Sequence, residues 1–177
     1  MITLQRLKEA LRYSPIVGVF EWRITGRRIR PGFLAGGVNR STGYIKIVID
    51  RKSYPAHVLA WFYMTGEWPD RDIDHKDGDR SNNAFSNLRL ATKPQNGWNK
   101  RKPKSNTSGV KGVSYQSGKN PWAARFESEG KEIWVGRFAT KEEAEKAIRQ
   151  RREEVHGEFA NHGLHGYELE ELNEATL

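Results

Sequence analysis

Between Asp72 and Asn99 the chain reads Asp-Ile-Asp-His-Lys-Asp-Gly-Asp-Arg-Ser-Asn-Asn-Ala-Phe-Ser-Asn-Leu-Arg-Leu-Ala-Thr-Lys-Pro-Gln-Asn-Gly-Trp-Asn. These residue types suit metal-assisted phosphodiester hydrolysis. Carboxylate and amide oxygens are hard donors for Mg²⁺ or Mn²⁺, and Mg²⁺ keeps several waters and needs few protein ligands. A histidine neutral at pH 7 can take a proton from an attacking water. An asparagine oxygen can accept the other ring N–H and so fix tautomer and orientation. The cation then stabilises charge on the phosphate and the departing 3′ oxygen. Taken singly, each residue has a plainer reading. Asp-Gly and Asn clusters form turns, Asn96 suits a helix surface, and His75 suits a satisfied structural position.

Local signals say how such a set is positioned. Ile73-Asp74-His75 reads as a short strand and Asn87-Leu88-Arg89-Leu90-Ala91 as its return, with Asp77-Gly78 as a turn signal between them. Thr92 followed by Gln95 is a capping box that starts a helix near Lys93. A hairpin followed by a helix can bring Asp74, His75, Asn87 and Asn96 together across 22 positions of sequence. Upstream, the apolar spacing predicts a helix over Ile2–Tyr13 and strands over Val17–Arg23 and Tyr44–Asp50. A strand-like stretch through Ser53-Tyr54-Pro55 leads to Val58, Leu59, Trp61 and Phe62, spaced for a buried helix face that the Gly66 region ends.

Composition narrows the partner. The 177 residues hold 30 Lys+Arg against 22 Asp+Glu, a net charge of +8 that points to a polyanion. Residues 1–104 hold 20 basic and 9 acidic residues, residues 105–177 hold 10 and 13, so the excess lies wholly in the first part. No stretch approaches the roughly 18 apolar residues of a spanning helix, and the first residues lack a secretory pattern. Without cysteine, disulfides, thiolate zinc sites and cysteine nucleophiles are excluded, and the cytoplasm is the expected compartment. The run Lys100-Arg101-Lys102-Pro103-Lys104 opens a segment, 100–108, that reads as a basic linker suited to phosphate contacts.

Taken together, Ala56-His57-Val58-Leu59-Ala60-Trp61, Ile73-Asp74-His75-Lys76-Asp77-Gly78, Asn82-Asn83, Asn87-Leu88-Arg89 and Gln95-Asn96 resemble the HNH homing-endonuclease family of phages and mobile introns. Order, identity and spacing agree over roughly residues 15–100. The resemblance implies a ββα-metal fold, with Asp74 and Asn96 as metal ligands, His75 as general base and Asn87 orienting it. Asn96 stands where other members have a histidine, which favours one Mg²⁺ or Mn²⁺ per site over zinc. Related sequences commonly carry Arg after the upstream histidine, where this chain has Val58. His57 is expected either to contact a phosphate or to support the hairpin. Arg80 and Arg89 are candidates for phosphate contacts.

Residues 105–162 read as three strands, Lys111–Gln116, Trp122–Glu127 and Lys131–Phe138, and one helix opened by a Thr140/Glu143 capping box. Ala144, Ala147, Ile148 and Val155 fall along one helical face. Ser108-Gly109-Val110-Lys111-Gly112-Val113, Trp122-Ala123-Ala124, Trp134-Val135-Gly136-Arg137-Phe138 and Gly157-Glu158-Phe159-Ala160 resemble the APETALA-type DNA-binding domain of plant ethylene-response factors. That resemblance implies a sheet in the major groove, with Lys111, Ser114, Gln116, Arg125, Glu127, Glu132 and Trp134 at DNA-facing positions. His156, His162 and His165 read as surface histidines.

The expected molecule is thus α+β, with a ββα-metal HNH nuclease domain over 1–99 and a basic linker over 100–108. A three-stranded antiparallel sheet packed on one helix follows over 109–162, and an acidic tail over 163–177. Its expected activity is site-selective, homing-type cleavage of double-stranded DNA. One site per chain predicts a nick from a monomer, with no obligate protein partner. The alternative is a non-catalytic sequence-specific DNA-binding regulator, for which retaining Asp74, His75, Asn87 and Asn96 together has no use.

Overall fold

In this computed structural model, which describes residues 1–165, regular structure begins where the Thr3 hydroxyl accepts from Arg6 N–H and caps α1 (Leu4–Ala10). The expected helix over Ile2–Tyr13 stops there. Leu11 turns extended, and β1 (Leu11–Ser14) pairs antiparallel with β2 (Val19–Trp22), Leu11 facing Trp22 and Tyr13 facing Phe20. Burying Leu11 and Tyr13 suits a strand of period 2 as well as a helix, and cross-strand pairing decides for the strand.

The chain divides into two units, Met1–Leu90 and Ala91–Leu177. In the first, β3 (Gly37–Val38), β4 (Ile45–Ile49) and β5 (Lys52–Pro55) form an antiparallel sheet in the order β3-β4-β5. Asp50 and Arg51 turn the β4–β5 hairpin at φ of 49° and 64°, and Arg6 clamps Asp50 through bonds of 3.0 and 2.8 Å. Then α2 (Ala56–Thr65) buries Ala56, Leu59, Ala60 and Phe62 and ends at Gly66, as its spacing predicts. β6 (Asp72–His75) pairs with β7 (Leu88–Ala91), and a short 3₁₀ turn, Phe85–Asn87, leads into β7. Ile73 and Leu88 join the core formed by Leu7, Leu11, Phe20, Ile47, Ile49 and Leu59, which seats the hairpin.

In the second unit α3 (Lys93–Trp98) starts with the expected Thr92/Gln95 capping box. β8 (Val113–Tyr115), β9 (Trp122–Ser128) and β10 (Lys131–Phe138) form an antiparallel sheet in the order β10-β9-β8, which α4 (Lys141–His156) covers. At Gly112, φ is +80° and an added Cβ would lie 2.5 Å from the Arg125 carbonyl and 2.7 Å from Ile148, so no side chain fits. The buried residues of α4 are Ala144, Ile148, Arg152 and His156, whereas Ala147 and Val155 are only half-buried. Arg152 fits inside because it donates to the Lys111 carbonyl (2.8 Å) and to His162 Nδ1 (3.2 Å) and lies over the Phe126 ring. His156 is not a surface residue: its ring stacks flat on Trp98, 4.1 Å between centroids, with Phe126 edge-on. Residues 166–177, most of the expected acidic tail, lie outside the described residues. Among the described residues no helix is long and apolar enough to cross a membrane.

Candidate active site

Asp74 and His75 are consecutive on β6 and both buried, 4% and 3% exposed. Successive strand side chains leave on opposite faces, so each meets its own partners. The Asp74 Oδ2 accepts from Arg89 Nε at 2.9 Å and Nη2 at 2.8 Å. Arg89, expected at a phosphate, therefore engages the carboxylate with its fork.

His75 Nε2 lies 3.2 Å from Asn83 Oδ1. Its ring meets His57 edge-on at 5.1 Å and Tyr44 at 5.9 Å, while Tyr44 and His57 are 4.9 Å apart. Burial holds the His75 pKa below its ordinary value, against the bond to Asn83 and the carboxylates of Asp77, Asp74 and Asp79. The ring is then neutral at pH 7. Burial, with His75 beside it, pushes His57 down to about 4, and its Nδ1 is buried with no hydrogen-bond partner among the described residues. His57 thus supports the hairpin at the ring of His75. Arg80 lies over the other ring, 4.9 Å from the Tyr44 centroid, with Nη1 donating to the Thr42 carbonyl.

The loop from β6 to β7 is closed by Asn87. Its Oδ1 accepts from Asp77 N–H (3.1 Å), and its Nδ2 donates to Asp77 Oδ1 and to the Asn82 carbonyl, each at 2.9 Å. Asn82 Nδ2 also donates to Asp77 Oδ2. The ring contact expected of Asn87 is accordingly made by Asn83, because every polar atom of the Asn87 side chain is spent on holding the loop. Asn83 stands in the Asn82-Asn83 pair, whose composition signals only a turn; it escapes sequence reasoning because ring contact depends on how the loop folds back. Asn96 lies on α3, in the second unit, and is half-buried. Asp74 and Asn96 offer oxygen donors of the kind a hard divalent cation takes.

On the second unit's sheet, Val113, Ala124, Phe126, Val135 and Phe138 face α4, so the alternate residues form the other face. Arg125, Glu127, Glu132 and Trp134 are exposed there, and Ser114 and Gln116 half-buried. Arg125 pairs with Glu132 at 3.1 Å, and Arg137 donates to Gln116. Lys111 departs from its expected place at DNA. Its ammonium donates to the carbonyls of Trp98, Lys100 and Asn161, which uses all three protons. Burial, with Arg152 nearby, pushes its pKa down to about 8. Lys100, Arg101, Lys102 and Lys104 are exposed, and Lys102 Nζ donates to the Gly109 carbonyl.

Residues 54–98 match the family model described as HNH endonuclease. "Protein 3.8" of Escherichia phage T7 is 38% identical over 120 residues, covering 62% of this chain and 97% of that protein. An uncharacterized HNH endonuclease of Acanthamoeba polyphaga mimivirus is 38% identical over 88 residues, covering 50% of this chain and 44% of the viral protein. No solved structure matches the chain.

Proposed function

The chain belongs to the HNH endonuclease family, and on that premise we propose that it is a site-selective, homing-type endonuclease that hydrolyses one phosphodiester of double-stranded DNA. The observation that carries the reading is the buried pair on β6. His75 is neutral, held at Nε2 by Asn83, and adjacent in sequence to a carboxylate that Arg89 keeps in place. A neutral imidazole held in one orientation is what proton abstraction from water requires.

In this reading Asp74 and Asn96 hold one divalent cation, Mg²⁺ or Mn²⁺. The donor set fits: it is oxygen only, and the chain has no thiolate to offer a softer ion. Bound there, the cation supplies charge stabilisation for the phosphate and for the departing 3′ oxygen. The protein's own part is proton transfer. His75 takes the proton of the attacking water, and the products carry 5′-phosphate and 3′-hydroxyl ends. Asn87 keeps the loop closed, and Arg80 stands beside it for a phosphate. The basic run Lys100, Arg101, Lys102 and Lys104 grips the backbone. The exposed sheet face of the second unit, APETALA-like in this reading, selects the sequence through Ser114, Gln116, Arg125, Glu127, Glu132 and Trp134. One site per chain gives a nick from a monomer in the cytoplasm.

The test is supercoiled phage or plasmid DNA incubated with the full chain and Mg²⁺, Mn²⁺ or EDTA, followed by end analysis. The expected product is a metal-dependent nicked circle with 5′-phosphate ends. DNA left intact under permissive metal and salt would leave only a DNA-binding regulator. A linear product at low protein concentration would overturn the single nick.

A further inference from the structure

We propose that Asn83 is the positioning residue of the general base: its side-chain oxygen selects the Nε2–H tautomer of His75 and leaves Nδ1 as the nitrogen that takes the proton. The inference rests on reading His75 as the base and adds which nitrogen acts and what decides it.

The assignment follows from a chain of donors and acceptors. Asn83 Nδ2 donates to the Ser81 carbonyl at 3.0 Å. A carbonyl only accepts, so the amide cannot be turned over, and its oxygen must face the ring. That oxygen also only accepts. The His75 atom opposite it, Nε2 at 3.2 Å, therefore carries the hydrogen. In a neutral imidazole the other nitrogen then holds the lone pair. With Asn83 only 1% exposed and His75 3% exposed, water cannot readily replace either partner, and an unpaired group in that place is costly.

Asn83 is itself held from the N-terminal hairpin by three separate contacts. The buried Tyr13 hydroxyl donates to its carbonyl at 2.7 Å. Phe85 N–H donates to the Pro15 carbonyl at 2.9 Å. Gly18, at φ +75°, lets the β1–β2 turn come so near that a Cβ there would lie 2.1 Å from Ala84 N and 2.3 Å from the Asn83 carbonyl carbon. The β1–β2 hairpin thus acts through Asn83 on the orientation of a ring more than sixty residues away in sequence.

The first test needs no variant. In long-range ¹H–¹⁵N spectra of the metal-free full chain at near-neutral pH, His75, assigned by its loss in His75→Gln, should show the Nε2–H tautomer. The Nδ1–H pattern would overturn the proposal. Asn83→Leu should give mixed tautomers and lower kcat by about 10- to 100-fold, the usual loss for a residue that orients a functional histidine, with KM for DNA unchanged. Asn83→Asp keeps the acceptor and should recover most of that rate. Full activity in Asn83→Leu, or equal loss in both variants, would make Asn83 a packing residue only. Should Asn83→Leu fail to fold, the wild-type spectrum and Asn83→Asp still decide. His75→Gln cleaving like wild type would instead defeat the base reading, whatever the tautomer.

Discussion

The β6–β7 hairpin of the first unit and the β8–β9–β10 sheet of the second handle charge in opposite ways. In the hairpin the groups able to do chemistry are withdrawn from water: Asp74, His75 and Asn83 are at most 4% exposed and interlocked by hydrogen bonds. On the sheet the polar side chains lie outside and satisfy one another, as Arg125 with Glu132 and Arg137 with Gln116, while the buried cations, Lys111 and Arg152, bond to backbone carbonyls. Exposed pairs are worth about 0–1 kcal/mol, so they exchange readily for a phosphate or a base edge. A buried pair does not exchange, and its geometry stays fixed. One arrangement suits a reaction and the other suits recognition.

Four substitutions or conditions can break or sharpen that contrast. The largest effect is expected at Asn87. Asn87→Ala removes three hydrogen bonds that close the loop and should lower cleavage by about 10- to 100-fold with DNA affinity little changed; equal cleavage would show that the loop needs no staple. Next is Arg152→Leu, which leaves the Lys111 carbonyl and His162 without their donor. It should cost about 2–3 kcal/mol in urea unfolding followed by tryptophan fluorescence, and an unmoved midpoint would contradict the buried role.

The third is a pH effect. Burial, the nearby Arg152 and Lys111 hold His156 at about 4 in the folded chain, against a bond from the Glu127 backbone, whereas the unfolded chain protonates near 6.5. The folded form therefore refuses a proton that the unfolded form takes. The contribution is complete above pH 6.5 and is lost as pH falls from 6.5 toward 4. His156→Phe, which keeps a ring against Trp98, should flatten the acid limb of the thermal-stability profile; His57 supplies what slope remains. An identical slope in the variant would show that His156 is not the group concerned. The smallest effect is Glu132→Ala: stability within about 0.5 kcal/mol, DNA binding a few-fold tighter, and the salt dependence steeper by about one counterion as Arg125 is released. Weaker binding would mean that Glu132 itself reads a base.

Much of this was legible in the residues, for reasons that differ by element. The capping boxes at Thr92 and Thr140 and the strand Lys131–Phe138 rest on local chemistry, and they stand where expected. The hairpin carrying Asp74 and His75 was legible because a turn signal separates two short apolar runs. What escaped depended on distant contacts. Leu11 and Tyr13 leave the helix because Trp22 and Phe20 face them. Arg152 and His156 face inward because Lys111 and Trp98 receive them. Asn83 replaces Asn87 at the His75 ring because the loop folds over the N-terminal hairpin. A periodic pattern identifies which face is apolar, and it is silent on a polar residue whose partner lies forty or seventy positions away.

The most direct measurement compares His75→Ala with wild type in single-turnover cleavage of supercoiled DNA with saturating Mg²⁺, with DNA affinity measured in parallel. If His75 is the base, the variant loses about 10²- to 10⁴-fold in rate while binding DNA as tightly as wild type. Cleavage at the wild-type rate would contradict the account.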